Sequence, residues 1–265
     1  MLEVIDKGSS DSNAAPLLFI HGAWHGAWCW DDHFLDFFAD RGFRALALSL
    51  RGHGKSSTDK RLSLCSIADY VADVRSIAQA LPTPPVLIGH SMGGLVVQKY
   101  LESENARAAV LLASVPPRGL TKALLGFSRR HPWLSLKGIV TGDSTVGLRT
   151  PALVRELFFS PGTPEEVVAR CAERVQQESL RALYVDATLT AVPKPDRVAT
   201  PLLVLGGEDD RSFTVEDVLA TGCAYGTEAE IYAGMGHNMM LEPGWRDVAE
   251  RIADWLNTTL TPRRS

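Results

Sequence analysis

Ser91 stands at the centre of Gly89-His90-Ser91-Met92-Gly93-Gly94, directly after the apolar run Pro85-Val-Leu-Ile88 and before the helical pattern Leu95-Val-Val-Gln-Lys-Tyr100. Glycines two positions to either side relieve crowding in a sharp strand-to-helix turn, and such a turn presents the serine hydroxyl on a strained backbone. The chemistry on offer is nucleophilic attack. A serine hydroxyl is a weak nucleophile until a base takes its proton, so a histidine must stand within hydrogen-bond reach, held in turn by a carboxylate. His237, in Gly234-Met-Gly-His-Asn-Met-Met240, is the only histidine after position 131 and lies in a glycine-flanked loop behind the short strand-like run Glu230-Ile-Tyr-Ala233. For the carboxylate there are three candidates in a row, Glu208, Asp209 and Asp210, behind the apolar run Pro201-Leu-Leu-Val-Leu-Gly206.

Attack on a carbonyl carbon creates an oxyanion, which preorganised N–H donors must stabilise. Met92, the residue after the nucleophile, opens a helix whose first N–H groups lack helical acceptors. The second donor is expected from Ala23 in His21-Gly-Ala-Trp24, which follows another apolar run, Pro16-Leu-Leu-Phe-Ile20. His21 reads as a structural residue pinning that loop, and His25, Trp28 and Trp30 as packing for the next helix. His53, in Arg51-Gly-His-Gly-Lys-Ser56, reads as part of a turn that backbone geometry explains. Trp24, Trp133, Phe158 and Met239 are candidate apolar walls of a substrate pocket, as are Met92, Phe159 and Met240. No histidine has Asp or Glu in HExxH-like spacing, so neither a metal nor a cofactor is expected.

These groups need a scaffold that brings strand ends together. The runs 16–21, 43–50, 85–89, 108–113 and 201–206 are short, apolar and followed by turns, as strands of a parallel sheet covered on both faces should be. Between them lie helical spacings such as Ile67, Val71, Val74, Ile77, Ala78 and Leu81. Strand and helix in alternation predict an α/β fold with a doubly wound, mostly parallel sheet. The alternation stops after Val115-Pro-Pro117 and resumes at Pro201, and the intervening stretch of about 80 residues exceeds an ordinary strand-to-helix connection. Helical patterns fall there at 123–127, 153–159 and 165–191, the last expected to break in two. The reading is a core of residues 1–115 and 196–265 with an inserted helical cap of residues 116–195, Pro193-Lys-Pro195 being the return linker. A final helix, Trp245 to Leu256, carries an apolar stripe that would close the fold.

The chain has 265 residues, 45% hydrophobic and 22% charged, with a formal net charge of −4. Its basic residues are scattered apart from Arg263 and Arg264, which argues against a nucleic-acid partner. Cys29, Cys65, Cys171 and Cys223 form no CxxC pair and read as reduced thiols. The first residues lack a basic stretch followed by an apolar run, and no segment reaches the ~18 apolar residues of a membrane span. A cytoplasmic location is expected on that basis.

Together GHSMGG, HGAWHGAWCW, RGHGKS and GMGHNMMLEP resemble the α/β-hydrolase superfamily over most of the chain outside the cap. In that superfamily the nucleophile precedes the acid and the histidine comes last. The acid there follows a strand-end glycine and two variable residues, which on Gly207 implies Asp210, with Asp209 as the alternative. HGAWHGAWCW resembles in particular the branch of plant methylesterases and hydroxynitrile lyases. The lyases of that branch carry a lysine after the catalytic histidine and a threonine at the loop glycine. Asn238 and Gly22 occupy those positions here, so the resemblance implies the esterase side. It also implies no epoxide hydrolase or dehalogenase chemistry, since those attack with an aspartate. The implied activity is a serine carboxylesterase acting on a small or medium-sized apolar ester. C–C bond hydrolase, lactonase, thioesterase, perhydrolase or lyase chemistry on the same residues, and a ligand-receptor role, are the alternatives.

Overall fold

Strand residues point alternately to opposite faces, so a strand that is apolar throughout requires an apolar layer on each side. The computed structural model describes residues 1–9 and 14–260. Seven strands, β1 (Glu3–Lys7), β2 (Leu17–Ile20), β3 (Ala45–Ser49), β4 (Val86–His90), β5 (Ala108–Leu112), β6 (Leu202–Gly207) and β7 (Ala229–Tyr232), form one sheet among the described residues. Its order is β1-β3-β2-β4-β5-β6-β7, parallel except for the antiparallel edge pair of β1 with β3. The α-helices are α1 (Trp28–Asp31), α2 (Phe34–Ala39), α3 (Ile67–Ala80), α4 (Met92–Leu101), α5 (Thr121–Arg130), α6 (Pro132–Thr141), α7 (Pro151–Phe158), α8 (Glu165–Arg174), α9 (Val215–Ala224) and α10 (Trp245–Leu260).

Leu17, Phe19, Ile88, Val110 and Leu205 join the layer that holds Trp30 of α1, Phe34 and Phe38 of α2, and Val248 and Ile252 of α10. Leu18, Ile20, Leu87, Leu111 and Val204 join the other, with Val74 of α3, Leu95 and Val96 of α4 and Val218 of α9. The sheet is thus doubly wound. α3 starts where Ser66 and Asp69 cap it reciprocally: the Asp69 N–H donates to Ser66 Oγ at 3.1 Å and the Ser66 N–H to the Asp69 carboxylate at 2.7 Å. The five apolar runs of the sequence are β2 to β6. β1 was not expected, because an edge strand reading Glu-Val-Ile-Asp-Lys is only partly buried and carries no apolar run. All four cysteines are free, three of them buried. No helix among the described residues is long and apolar enough to cross a membrane. Arg263 and Arg264 lie outside the described residues.

Between β5 and β6 the chain forms α5 to α8 and a wide π-type helix, Arg181–Thr190. α6 has no counterpart among the expected helices. The expected break within 165–191 falls at residues 175–180, and the core explains it. There the Gln176 N–H donates to the Trp24 carbonyl at 3.0 Å, the Gln176 amide to the His25 carbonyl at 2.9 Å and the Ser179 hydroxyl to the Cys65 carbonyl at 2.5 Å. Glu178 is buried beside the core. It accepts from the Tyr70 hydroxyl at 2.7 Å and stands 3.1 Å from His53 Nε2. Burial alone would neutralise both partners, yet their mutual attraction outweighs it, raising the His53 pKa and lowering that of Glu178. His53 is therefore a buried partner to Glu178 as well as a turn residue, which corrects the purely backbone reading of RGHGKS.

α4 packs close to β2 because Gly93 has no side chain. A methyl group there would collide with the Ile20 and His21 carbonyl oxygens, which belong to main chain. Gly93→Ala is expected to cost about 3 kcal/mol, the upper part of the usual overpacking range. Urea unfolding should show it as a lower midpoint with an unchanged slope.

Candidate active site

β4 ends at His90 and α4 starts at Met92, which leaves Ser91 to turn the chain. Its φ of 53° and ψ of −118° are a conformation that residues with a Cβ rarely adopt. Hydrogen bonds hold it there. The Ser91 N–H donates to the Leu112 carbonyl at 3.1 Å, while the Ser91 carbonyl accepts from Gly94 at 3.0 Å and Val115 at 3.1 Å. With its backbone fixed, the serine lines a cavity of about 900 Å³ of empty space, part of it open to solvent.

His237 lines the same cavity, from the loop after β7. Its Nδ1 donates to Asp210 Oδ2 at 2.7 Å, leaving Nε2 as the free nitrogen of the ring. Asp210 Oδ1 accepts from the N–H groups of Ser212 at 2.7 Å and Phe213 at 3.1 Å, so the carboxylate is buried and hydrogen-bonded on both oxygens. Asp209 is only partly buried and does not meet His237; its N–H donates to the Met235 carbonyl at 2.9 Å. The imidazole lies between the rings of Phe158 and Phe213, with centroids at 6.1 and 5.4 Å. His90 Nε2 donates to the His237 carbonyl at 3.0 Å and so ties that loop to the base of the serine turn. No hydrogen bond joins Ser91 to His237 among the described residues; such contacts are commonly long until substrate is bound.

Ala23 and Met92 line the cavity beside Ser91, as do Trp24 and Phe158. Trp24 has a φ of 65°, and its Nε1 donates to the Ser144 carbonyl at 3.0 Å, bolting the loop after β2 to the helical insert. His21 pins the same loop, accepting the Leu50 N–H on Nε2 at 3.0 Å and donating from Nδ1 to the Gly22 carbonyl at 2.8 Å. Four of the expected wall residues are elsewhere. Trp133 is 79% exposed on α6, outside the cavity, and Met239 is buried in the core layer with Phe159 and Met240. An apolar residue in an inserted helix or beside His237 has two faces to choose from, and composition does not say which. The cavity wall instead includes Leu120, Leu124 and Phe127, whose i, i+4, i+7 spacing was a legible signal, together with Leu183 and Phe213.

The two positions that separate the esterases from the lyases also have physical explanations. A side chain at Gly22 would put its Cβ 2.8 Å from Ser91 Cβ, crowding the nucleophile. Asn238 turns away from the cavity: its amide meets His25 Nε2 at 3.1 Å and Cys171 Sγ at 3.8 Å, and its N–H donates to the Phe158 carbonyl at 2.7 Å.

Residues 17–251 match the model of the alpha/beta hydrolase family. The chain belongs to that family. A non-heme chloroperoxidase from Burkholderia pyrrocinia is 34% identical over 90% of this chain and 91% of its own. A pFDCC methylesterase from Arabidopsis thaliana is 28% identical over 71% of this chain and 76% of its own. Among solved structures, a thermophilic esterase from Thermogutta terrifontis superposes with a TM-score of 0.76 at 19% identity, covering 98% of this chain and 94% of that one, a likeness of fold.

This hydrolase surrounds its site with buried histidines. Burial is the main cause that lowers His21, His25 and His90, His25 to about 4. In the unfolded chain each takes up a proton near pH 6.5, whereas the folded protein excludes it. Stability should therefore fall as pH drops below 6.5, by about 1.4 kcal/mol per pH unit for each histidine, until its folded pKa is reached. His53 acts oppositely: its raised pKa stabilises below pH 6.5, and that contribution disappears as pH rises through the folded value. Urea midpoints are expected to drop steeply from pH 6.5 to 5. A flat profile over that range would show that these histidines are charged in the native state.

Proposed function

We propose that the protein is a serine carboxylesterase for small or medium-sized apolar esters, with Ser91 as nucleophile, His237 as base and Asp210 as the acid that orients it. The observation that carries this reading is a serine at φ 53° sharing one largely apolar cavity with a histidine hydrogen-bonded to a buried aspartate. His237 Nε2 takes the Ser91 proton as Oγ attacks the ester carbonyl. The N–H groups of Ala23 and Met92 receive the oxyanion, each contributing on the order of 3 kcal/mol to the transition state. His237 then protonates the departing alcohol and activates the water that releases the acid. Asp210 holds the Nδ1–H tautomer and stabilises the imidazolium.

Residues 116–195 act as the cap over a core of residues 1–115 and 196–265, since Leu124, Phe127 and Leu183 supply wall to the cavity that Ser91 enters from below. The methylesterase relative supports an ester substrate, as does Asn238, whose amide is committed to His25 and Cys171 and offers no cation beside His237. Four free thiols fit a reducing, cytoplasmic setting.

Ser91→Ala should abolish p-nitrophenyl acetate turnover to within a residual rate, a loss of about 10⁶-fold in kcat, with the urea midpoint retained. Asp210→Asn should lose about 10⁴-fold, and Asp209→Asn little. Wild-type turnover in Ser91→Ala would end this reading, and a larger loss at Asp209 than at Asp210 would reassign the acid.

A further inference from the structure

α6 is apolar on two sides. Leu134, Ser135 and Gly138 face the cavity that holds Ser91. Trp133, Leu136, Ile139 and Val140 face outward and are 79, 51, 65 and 75% exposed. Trp133, Leu136 and Val140 follow i, i+3, i+7 spacing and so share one face of the helix. A cluster of large apolar side chains turned to water adds nothing to the fold and marks a place of contact. The segment that carries this face has charge of a single sign. From 118 to 142 the chain carries Arg118, Lys122, Arg129, Arg130 and Lys137 and no Asp or Glu, although the protein as a whole is acidic. Asp217 engages Arg118 and Lys122, and Glu156 engages Arg130. Arg129 and Lys137 are exposed, and on α6 Lys137 neighbours Trp133 and Val140, at i−4 and i+3.

We propose that the outer face of α6 docks on an anionic lipid surface. A helix with Trp, Leu, Ile and Val outward and cations beside them lies in the plane of such an interface, its apolar side chains at the acyl boundary and its cations among the headgroups. A second copy of the chain fits less well. Two facing copies would bring two sets of Lys137 and Arg129 together with no carboxylate on α5 or α6 to offset them, and a ten-residue helix, about 15 Å long, offers a small part of the roughly 800 Å² per partner of a stable interface. The inner face of the same helix gives docking a consequence: a cavity wall comes to rest at the interface, where an apolar ester dissolved in lipid is concentrated. That consequence rests on the esterase reading, whereas the docking itself does not.

Co-sedimentation of the full chain with vesicles of phosphatidylglycerol, and separately of phosphatidylcholine, tests it. Binding is expected to phosphatidylglycerol, much less to phosphatidylcholine, and to weaken with salt. The double variant Trp133→Ser/Val140→Ser should lower the bound fraction roughly tenfold, and Lys137→Glu should lower it on phosphatidylglycerol. Both variants should hydrolyse soluble p-nitrophenyl acetate at the wild-type rate, because none of these side chains lines the cavity. Absence of wild-type binding, or equal binding by the double variant, would overturn the proposal. So would a dimer that the double variant disperses without any vesicle binding. Lack of p-nitrophenyl acetate turnover by the wild type would instead strike the esterase reading and leave the vesicle result standing.

Discussion

The Ser91 backbone cannot hold its own conformation, since a positive φ at a residue with a Cβ costs about 1–3 kcal/mol and relaxation would swing the hydroxyl out of the cavity. The restraint comes from both sides. Before it, β4 is paired with β2 and β5; after it, α4 is pressed on β2 through Gly93, where an added Cβ would collide with the Ile20 and His21 carbonyls. His21 opens the loop that carries Ala23. The close approach that makes the serine turn sharp therefore also sets the spacing between the two N–H groups proposed to receive the oxyanion. Gly22 continues the same economy of volume, because a side chain there would meet Ser91 and His90.

From that fixed point the helical insert is held by polar bolts as well as by apolar residues such as Val154, Phe158, Val168 and Leu183 buried in the core layers. Trp24 reaches Ser144, Gln176 reaches the carbonyl of His25, and Glu178 reaches Tyr70 and His53. Glu242 joins the His237 loop to the end of α7, accepting from the Ser160 N–H, the Gly236 N–H and the hydroxyls of Ser160 and Thr163. A buried carboxylate with this many donors is satisfied, so it specifies one position of the His237 loop relative to the insert without leaving an uncompensated charge. α5 keeps one polar tie to the core, Lys122 to Thr214 and Asp217, but α5 and α6 between them contain one buried residue, Gly138, whereas α8 is anchored by Val168 and Cys171. Segments with few buried contacts sit at the low end of local stability.

This division explains what the sequence disclosed. Ser91, His237 and Asp210 were legible because each stands just beyond a strand, where an apolar run gives way to glycine and the turn geometry fixes who is exposed. Even so, Asp209 and Asp210 are chemically identical, and only counting from Gly207 separated them. Trp133 and Met239 were misplaced because hydrophobicity marks a residue as fit for burial or contact without naming the surface it meets. Met239 follows the chain down into the core two residues after His237, and Trp133 lies on the outer side of a helix whose inner side serves the cavity. The His53–Glu178 pair was illegible, since a buried ion pair between distant segments leaves no local pattern. β1 failed for a different reason: an edge strand need not be apolar.

The histidines near the site connect stability to chemistry. The His90 and His237 rings are 4.7 Å apart. In the proposed mechanism His237 becomes an imidazolium, and a second positive charge at that separation would oppose it by about 3.5 kcal/mol at an effective dielectric constant of 20. Such a penalty would offset the gain from one oxyanion donor. Burial keeps His90 neutral, with His237 itself and His25 adding to the effect. The same desolvation that makes these histidines a stability burden in acid thus leaves Asp210 as the nearest charge that His237 meets, and that charge has the sign the transition state requires.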